Sequence, residues 1–233
     1  MTWMENTVVL ACATIRDELD LIHWELACPY PIVWVTENRH DAPDRLRQIL
    51  QRHLNELAGY ERVLMSFGIC GQATLGLQTR DFQLILPRID DCISLLLGSS
   101  WYKAACQRGT PALFLTTGWL DSQWGIEHEL ARLDKKYGGT KAAKLQQQIY
   151  GEFSCLCLID TGSYSLEVIQ ERSAAISSRL HLEQKTVQGD LGLLRKLLTG
   201  PWDHSFIQVG AHSELTAAKF QQDCSVINYK LMG

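Results

Sequence analysis

Three cysteines follow apolar, β-rich segments of the sequence and could bind a metal together. Cys12 follows V-V-L-A, Cys70 follows R-V-L-M-S-F-G-I, and Cys92 follows F-Q-L-I-L-P-R-I-D-D. Ligands collect at the carboxyl ends of parallel strands in an open α/β sheet, so thiols from three strand ends can meet at one point. Thiolates suit zinc and iron–sulfur clusters. The sequence therefore predicts a three-cysteine site with one open coordination position.

The competing interpretation is that these are three unrelated cysteines that are buried or cap helices. A free cysteine often behaves as a small buried hydrophobe, and no C-x-x-C spacing marks a local metal motif. Gly68 and Gly71 favour a site at Cys70, because glycine allows the backbone to approach a bound group closely. The case for a metal site is topological, since it depends on all three cysteines following apolar strands.

The other five cysteines are interpreted as structural. Eight cysteines in 233 residues are too sparse for a disulfide scaffold. Cys155 and Cys157 alternate along a predicted strand, so we expect them to point to opposite faces and to pack in the core. Cys28, Cys106 and Cys224 show no partner pattern.

Charged residues near the predicted thiol site could bind or activate a substrate. Asp91 precedes Cys92 and could act as a general base or as a hydrogen-bond acceptor behind the metal. Its alternative role is a helix N-cap. Arg88 could bind a substrate carboxylate through its guanidinium, or it could form a structural ion pair. With Arg16, these residues are the predicted catalytic groups, which orient a small polar substrate.

Two further strand ends carry turns that could line a ligand cleft. Asp160, Thr161 and Gly162 end one predicted strand, where an aspartate can face a ligand or serve only in a turn or cap. Gly118 and Trp119 end another strand, where the tryptophan could form a pocket wall. We predict that these five residues bind the substrate.

The order of apolar segments predicts an α/β fold. Strands alternate with helices, which indicates a mostly parallel sheet of repeated βα units in Rossmann-like layers. We expect one domain over residues 1–233, with two pseudo-repeated halves at about 1–110 and 111–211 and a C-terminal extension at 212–233. Asp41 is the expected cap of the second helix. The predicted strands are Val8–Ala11, Ile32–Thr36, Arg62–Ser66, Phe82–Leu86, Ala112–Thr116, Cys155–Ile159 and Phe206–Val209.

Composition and motifs argue against several classes of function. The net charge of −4 disfavours nucleic acid and anionic membranes as partners, and a hydrophobic content of 46% is ordinary for a globular chain. No apolar segment reaches the ~20 residues of a membrane span, and the start lacks the basic region of a signal peptide, so we expect a cytoplasmic protein. No P-loop, G-x-S-x-G or paired-histidine motif occurs, and no nucleotide cofactor is expected.

Several short motifs follow one another along residues 8–210. They include A-C-A-T-I-R-D-E-L, G-I-C-G, P-R-I-D-D-C-I-S-L-L-L-G-S, T-T-G-W, I-D-T-G, G-D-x-x-L-L-R-x-L-L and P-W-D. Together they resemble the DUF1638 family of prokaryotic proteins. The resemblance implies signature positions at the three cysteines, Arg16 and Glu18. Members often have His-Asp-Cys where this chain has Asp-Asp-Cys, so a role for that histidine does not carry over. Members are often encoded near corrinoid-dependent methyltransferases, which implies one-carbon chemistry.

These observations support two hypotheses. In the first, the chain is a cytoplasmic metal-dependent enzyme, a lyase or a transferase of methyl or sulfur metabolism. Its three cysteines hold a 4Fe–4S cluster or, as the second choice, a zinc ion. In the second, it is a non-enzymatic accessory protein that handles a metal or corrinoid for a methyltransferase or corrinoid protein. The sequence leaves the substrate, the strand order and the oligomeric state open, a homo-oligomer included.

Overall fold

The computed structural model describes residues 4–37, 42–57 and 59–221, and it contains two separate β-sheets. Asp41, Cys224 and the end of the predicted C-terminal extension lie outside these ranges. The strands in the described residues are β1 (Thr7–Cys12), β2 (Ile32–Val35), β3 (Arg62–Met65), β4 (Gln83–Pro87), β5 (Ala112–Leu115), β6 (Cys155–Asp160), β7 (Glu183–Gln188) and β8 (Phe206–Val209).

Helices connect most of these strands. The connection from β3 to β4 instead contains a short 3₁₀ turn at Cys70–Gln72, and another such turn, Ala13–Ile15, follows β1. The α-helices are α1 (Arg16–Glu25), α2 (Pro43–Glu56), α3 (Cys92–Leu96), α4 (Ser100–Cys106), α5 (Thr117–Asp121), α6 (Ile126–Tyr137), α7 (Gly139–Tyr150), α8 (Leu166–Leu180), α9 (Gly192–Thr199) and α10 (Ala217–Gln221).

The first sheet has the strand order β2-β1-β3-β4-β8. Its first four members are parallel, and β8 pairs antiparallel with β4. All six residues of β1 are buried, because helices cover both faces of the sheet. The chain adds β2 on one side of β1 and then β3 on the other. The carboxyl ends of β1 and β3 therefore flank the point where the strand order reverses, which is where ligands bind in folds of this class.

The second sheet is smaller and has the parallel order β5-β6-β7. Leu156 and Leu158 of β6 point to one face and pack with α6 and α8 in an apolar cluster. Ile159 points to the other face and joins the core of the first sheet. The two sheets therefore share a continuous apolar interior, although no strand pairs between them in the described residues.

Segments that follow the strands of the two sheets meet at their carboxyl ends, in a contact region that we call the seam. The amide of Asp190, after β7, donates to the carbonyl of Leu96 in α3 at 2.8 Å. Thr117, after β5, donates to the carboxylate of Asp17 in α1. The seam therefore joins loops that the chain places far apart, and it positions the groups described below.

The α/β class predicted from the sequence is confirmed, and all seven predicted strands overlap observed ones. β7 was missed, because its sequence E-Q-K-T-V-Q has no apolar run and most of its residues are exposed. The expectation that Cys155 and Cys157 point to opposite faces was wrong. Residues i and i+2 of a strand share a face, and the two sulfurs lie 3.3 Å apart. In the described residues, none of the helices is both long and apolar enough to cross a bilayer.

Candidate functional site

Thr14 links two of the three cysteines that the sequence singled out. Its hydroxyl oxygen lies 3.0 Å from the sulfur of Cys12 and 3.8 Å from the sulfur of Cys92. The two sulfurs are therefore separated by no more than the sum of these distances. Cys12 ends β1 and its amide donates to the hydroxyl of Ser66, which follows the neighbouring strand β3. The close approach of strand ends that the sequence predicted thus occurs at these positions.

Cys70 lies in a loop whose backbone is strained. Three consecutive residues have positive φ, with 45° at Cys70, 63° at Gly71 and 75° at Gln72. Only glycine adopts this region without cost, and such outliers in other residue types concentrate at functional sites. The amides of Ile69 and Cys70 donate to the carbonyls of Ile89 and Asp90 at 2.9 and 2.7 Å. These bonds tie the Cys70 loop to the segment that leads into Cys92.

All three thiols are buried and influence one another electrostatically. Their exposed fractions are 0% for Cys12, 5% for Cys70 and 3% for Cys92. Burial raises the pKa of each thiol, and the charges of Cys92 and Cys12 raise the pKa of Cys70 further. The unliganded thiols are therefore neutral, and a metal must displace their protons to bind. We call Cys12, Cys70 and Cys92 the thiol cluster.

Within the described part of the chain, the thiol cluster is not arranged to hold a single metal ion. Among the described residues, no group of three His, Cys, Asp or Glu side chains converges closely enough to hold one metal ion. A mononuclear zinc site needs each sulfur at about 2.3 Å from the same ion. Thiolates that bind different irons of one cluster can lie farther apart.

Residues that follow β5 cover the thiol cluster from the second sheet. Trp119 lies beside Cys92, and its hydrogen bond offsets part of the increase that burial causes in the pKa of that thiol. Gly118 packs against the backbone of Thr14 so closely that a Cβ atom there would lie 2.1 Å from the Thr14 carbonyl oxygen. Both residues were predicted to bind substrate. Trp119 contacts Cys92, and Gly118 contacts Thr14, which itself contacts two of the cysteines.

A polar cleft of about 330 Å³ opens next to the thiol cluster. Its lining includes Thr14, Arg16, Asp17, Gly118, Asp121 and Gln123. The guanidinium of Arg16 stacks over the Trp34 ring at 4.2 Å and makes no ion pair with any residue in the described ranges. An exposed arginine of this kind can bind a carboxylate or another planar anion. Two of the predicted functional residues, Arg16 and Gly118, therefore line the same cleft.

Asp91 takes the capping role that was the alternative in its sequence interpretation. Its carboxylate accepts from the amide of Ser94 at 2.9 Å at the start of α3, and it forms an ion pair with Lys103 of α4. Burial raises the pKa of Asp91, but Lys103 and the Ser94 hydrogen bonds outweigh this effect and lower it overall. Asp91 thus anchors the helix that begins at Cys92. Its predicted catalytic role stays a prediction.

The profile of one family, described as "Protein of unknown function (DUF1638)", matches residues 34–198, which is more than half of the chain. The chain belongs to the DUF1638 family. The matched range includes Cys70, Cys92 and the turns after β5 and β6, whereas Cys12 and Arg16 precede it. No curated protein and no solved structure matches the chain.

Arg88 of this DUF1638 member holds the C-terminal part of the described chain in place. Its guanidinium donates to the carbonyl oxygens of His204 at 2.8 Å and of Phe220 at 2.8 Å, and it also bonds the carbonyl of Lys219. These contacts hold the start of β8 and the end of α10 against the end of β4. They make a structural role the simpler interpretation of this residue.

We expect Arg88→Met to lower the free energy of unfolding by about 2 kcal/mol, because carbonyls that pair with a charged donor lose their partner. Urea titration would measure this change, with Arg52→Met as the control, since Arg52 forms an exposed surface pair with Glu37. Unchanged stability together with weaker substrate binding would instead indicate that Arg88 binds the substrate.

The turn that follows β6 covers a buried carboxyl group and does not line the polar cleft. The hydroxyl of Thr161 donates to Glu18 of α1 at 3.2 Å, and Asp160 accepts from the amide of Gly162 at 3.2 Å. Glu18 is 1% exposed. Burial, together with the charge of Asp17, raises its pKa to about 7, although hydrogen bonds from Thr161 and Ser163 lower it. The turn predicted to bind substrate thus packs on Glu18 in the seam.

Glu18 should make the free energy of unfolding fall as the pH rises. Its pKa is higher in the folded chain than in the unfolded chain, so its protonated form favours folding at low pH. This contribution is lost as pH rises from about 4.5 through 7, and the loss amounts to about 3 kcal/mol. The other ionisable groups facing it are Asp17 and Tyr164, and the charge of Glu18 raises the pKa of Tyr164.

We therefore expect Glu18→Gln to exceed the stability of the native chain by less than about 1 kcal/mol at pH 5 and by about 3 kcal/mol at pH 8. Urea unfolding at both pH values measures this difference. Glu171→Gln, on the exposed face of α8, should leave the pH profile unchanged. Equal profiles for the native and Glu18→Gln chains would contradict a buried, protonated Glu18.

Sequence reasoning missed Thr14 and Lys103 as members of the site. A threonine two residues after a strand-end cysteine gives a weak signal, because its hydroxyl could equally cap a helix. Lys103 gave no signal at all, since it follows Asp91 by 12 residues on a different helix. Glu18 was noticed only through the family resemblance. Its burial depends on the turn after β6, which the sequence does not connect to α1.

Proposed function

We propose that the chain is a metal-dependent enzyme whose thiol cluster holds a 4Fe–4S cluster and acts on a small polar molecule in the adjacent cleft. The observation that carries the proposal is that three buried thiols, at the end of β1 and in the segments after β3 and β4, influence one another electrostatically. Two of them also contact Thr14, which lines that cleft. The reaction class that we favour is a lyase or a transferase of methyl or sulfur metabolism.

The donor set fits an iron–sulfur cluster better than a zinc ion. Three soft thiolates match the ligands of such clusters. Because the described residues form no site for a single ion, a group that spreads its ligands over several metals is favoured. With three protein ligands, a bound 4Fe–4S cluster would supply one iron with a coordination position free for a substrate oxygen, nitrogen or sulfur atom.

The chain's own residues have distinct roles in this proposal. Thr14 and Trp119 hydrogen-bond to the ligating sulfurs and would orient them. Arg16 would bind an anionic group of the substrate from the cleft wall, and Trp34 fixes the plane of its guanidinium. Burial of the thiols would exclude water from the side of the metal group that faces the protein.

The test is purification without oxygen, followed by measurement of iron, acid-labile sulfide and zinc. We expect near-equal iron and sulfide, and the loss of both in a Cys12/Cys70/Cys92→Ser triple variant. Zinc in place of iron would favour the zinc alternative, in which the metal activates a substrate thiol. The absence of iron and zinc from the native chain, even after reconstitution, would reject the metal site.

A second candidate function is a non-enzymatic accessory protein that delivers a metal or corrinoid to a methyltransferase. It is favoured by the structural engagement of Arg88 and Asp91, which leaves few acid–base groups at the thiols. Mixing the metal-loaded chain with a metal-free corrinoid protein or methyltransferase separates the two functions. Rapid transfer of metal, without conversion of small methylated amines or thiols, would support delivery.

A further inference from the structure

A second pocket, of about 340 Å³, lies along one edge of the second sheet. All four residues of β5 line it, although successive side chains of a strand point to opposite faces. The pocket therefore follows the edge of this strand, where the order β5-β6-β7 provides no neighbour among the described residues. We call it the aromatic pocket, because five rings contribute to its wall: Phe114, Trp119, Trp124, Tyr150 and Phe153.

The aromatic pocket has the size and the lining of a small-molecule site. Such sites begin at about 300 Å³, and they are mostly apolar with a few polar groups that orient the ligand. The side chain of Gln107, which lines the pocket, donates to the carbonyl of Ala112 at 3.4 Å. One hydrogen-bonding group at the edge of β5 is therefore already satisfied. This favours a compact ligand over a peptide that would add a strand to the sheet.

The aromatic pocket is distinct from the polar cleft beside the thiol cluster. The residues that line the one do not line the other. Gly118 lines the polar cleft, whereas the next residue, Trp119, lines the aromatic pocket and hydrogen-bonds to Cys92. The turn after β5 thus contributes to two separate cavities, and the function proposed for the cleft does not account for the second one.

A half-buried carboxylate lies in the wall of the aromatic pocket. Glu129 of α6 accepts a hydrogen bond from the hydroxyl of Tyr150 at 2.5 Å. Burial raises the pKa of Tyr150, and its hydrogen bond to Glu129 and the charge of that carboxylate raise it further, so the phenol stays neutral and donates. The ion pairs found within the described ranges do not include Glu129. Its negative charge is therefore available to a ligand.

The cations near the aromatic pocket have other partners. Lys103 lines the pocket, but it forms an ion pair with Asp91. Arg132 does not line the pocket, and its guanidinium stacks over the Trp124 ring at 5.5 Å. The charge of Arg132 lowers the pKa of Tyr150, but this effect is smaller than those that raise it. The pocket thus combines aromatic rings with one carboxylate that no cation of the described chain neutralises directly.

We propose that the aromatic pocket binds a small organic amine in its ammonium form. The apolar body of the ligand would pack against the aromatic rings, and its ammonium group would bind Glu129. The faces of aromatic rings attract cations, most strongly those of tryptophan. A carboxylate and an ammonium group form a charge-assisted hydrogen bond, which is stronger in a site that is partly shielded from water. This binding site uses none of the three cysteines, so it does not depend on a bound metal.

The first test is calorimetric titration of the native full-length chain at pH 7 with two amines, tryptamine and 2-phenylethylamine. The matched controls are indole-3-propionate and 3-phenylpropionate, which keep the ring and the two-carbon chain but carry a carboxylate in place of the ammonium group. We expect one amine per chain, bound at least tenfold more tightly than the matched acid. Saturable binding of neither amine, or equal binding of the acids, would overturn the proposal.

The second test uses Glu129→Gln, which keeps the size of the side chain and an acceptor for the Tyr150 hydroxyl but removes the charge. We expect the affinity for the amine that binds to fall at least tenfold. Glu127→Gln is the control, because Glu127 is exposed on the same helix and does not line the pocket. It should keep the native affinity, and circular dichroism checks that both variants are folded. Native affinity in a folded Glu129→Gln chain would contradict the proposed site.

Discussion

Replacing Cys92 with serine is expected to abolish metal binding at the thiol cluster while the chain stays folded. Cys92 is 3% exposed and its sulfur contacts the hydroxyl of Thr14 at 3.8 Å, so serine fills almost the same space and keeps a polar neighbour. A serine hydroxyl is a poor ligand for iron compared with a thiolate. Iron and sulfide analysis after anaerobic purification should therefore show a nearly complete loss of both elements.

Cys28→Ser is the matched control for that variant. Cys28 is also buried, at 5% exposed, but it follows α1 and does not belong to the thiol cluster. It should keep the full iron content. If Cys92→Ser retained iron while remaining folded, Cys92 would not be a ligand, and the proposed three-thiolate site would be wrong.

Of the glycine-to-alanine substitutions that we predict, Gly118→Ala should lower the free energy of unfolding the most. The new Cβ atom would lie 2.1 Å from the carbonyl oxygen of Thr14 and 2.6 Å from its carbonyl carbon. Backbone atoms cannot rotate away as a flexible side chain can, so the 3₁₀ turn after β1 or the start of α5 must move. Overpacking of this kind costs about 3 kcal/mol. Urea unfolding measures the change.

The same variant should also weaken metal binding, because Thr14 contacts the sulfurs of both Cys12 and Cys92. Gly210→Ala is the control, since a Cβ atom there would meet only the Ser213 hydroxyl, at 3.9 Å. That variant should stay within about 0.5 kcal/mol of the native chain. A Gly118→Ala chain with native stability would show that the two sheets pack less closely at the seam than described.

The sequence predicted the parts of the fold that depend on local pattern. Buried parallel strands such as β1 and β6 are continuous apolar runs, so their positions and the residues at their ends could be found. The edge strand β7 could not, because its side chains are mostly polar and solvent-exposed. The strand order was also undetermined, since apolar runs do not reveal which strands become neighbours.

The residues of the candidate site that follow strands could be predicted from the sequence. Their contacts with residues far away in the chain could not. The three cysteines could be proposed because each follows a strand. The role of Arg88 depends on carbonyls more than 110 residues later in the chain, which no local pattern encodes. Asp160 and Thr161 were placed correctly at the end of β6, but the contact with Glu18 requires the two sheets to face each other.

The antiparallel pairing of β8 with β4 has a consequence for how the protein is made. Synthesis proceeds from the N-terminus, so the three cysteines of the thiol cluster leave the ribosome long before Phe206–Val209 does. Until then β4 has an unpaired edge, which is a template for pairing with other chains. We expect nascent chains that are stalled before β8 to aggregate or to recruit chaperones.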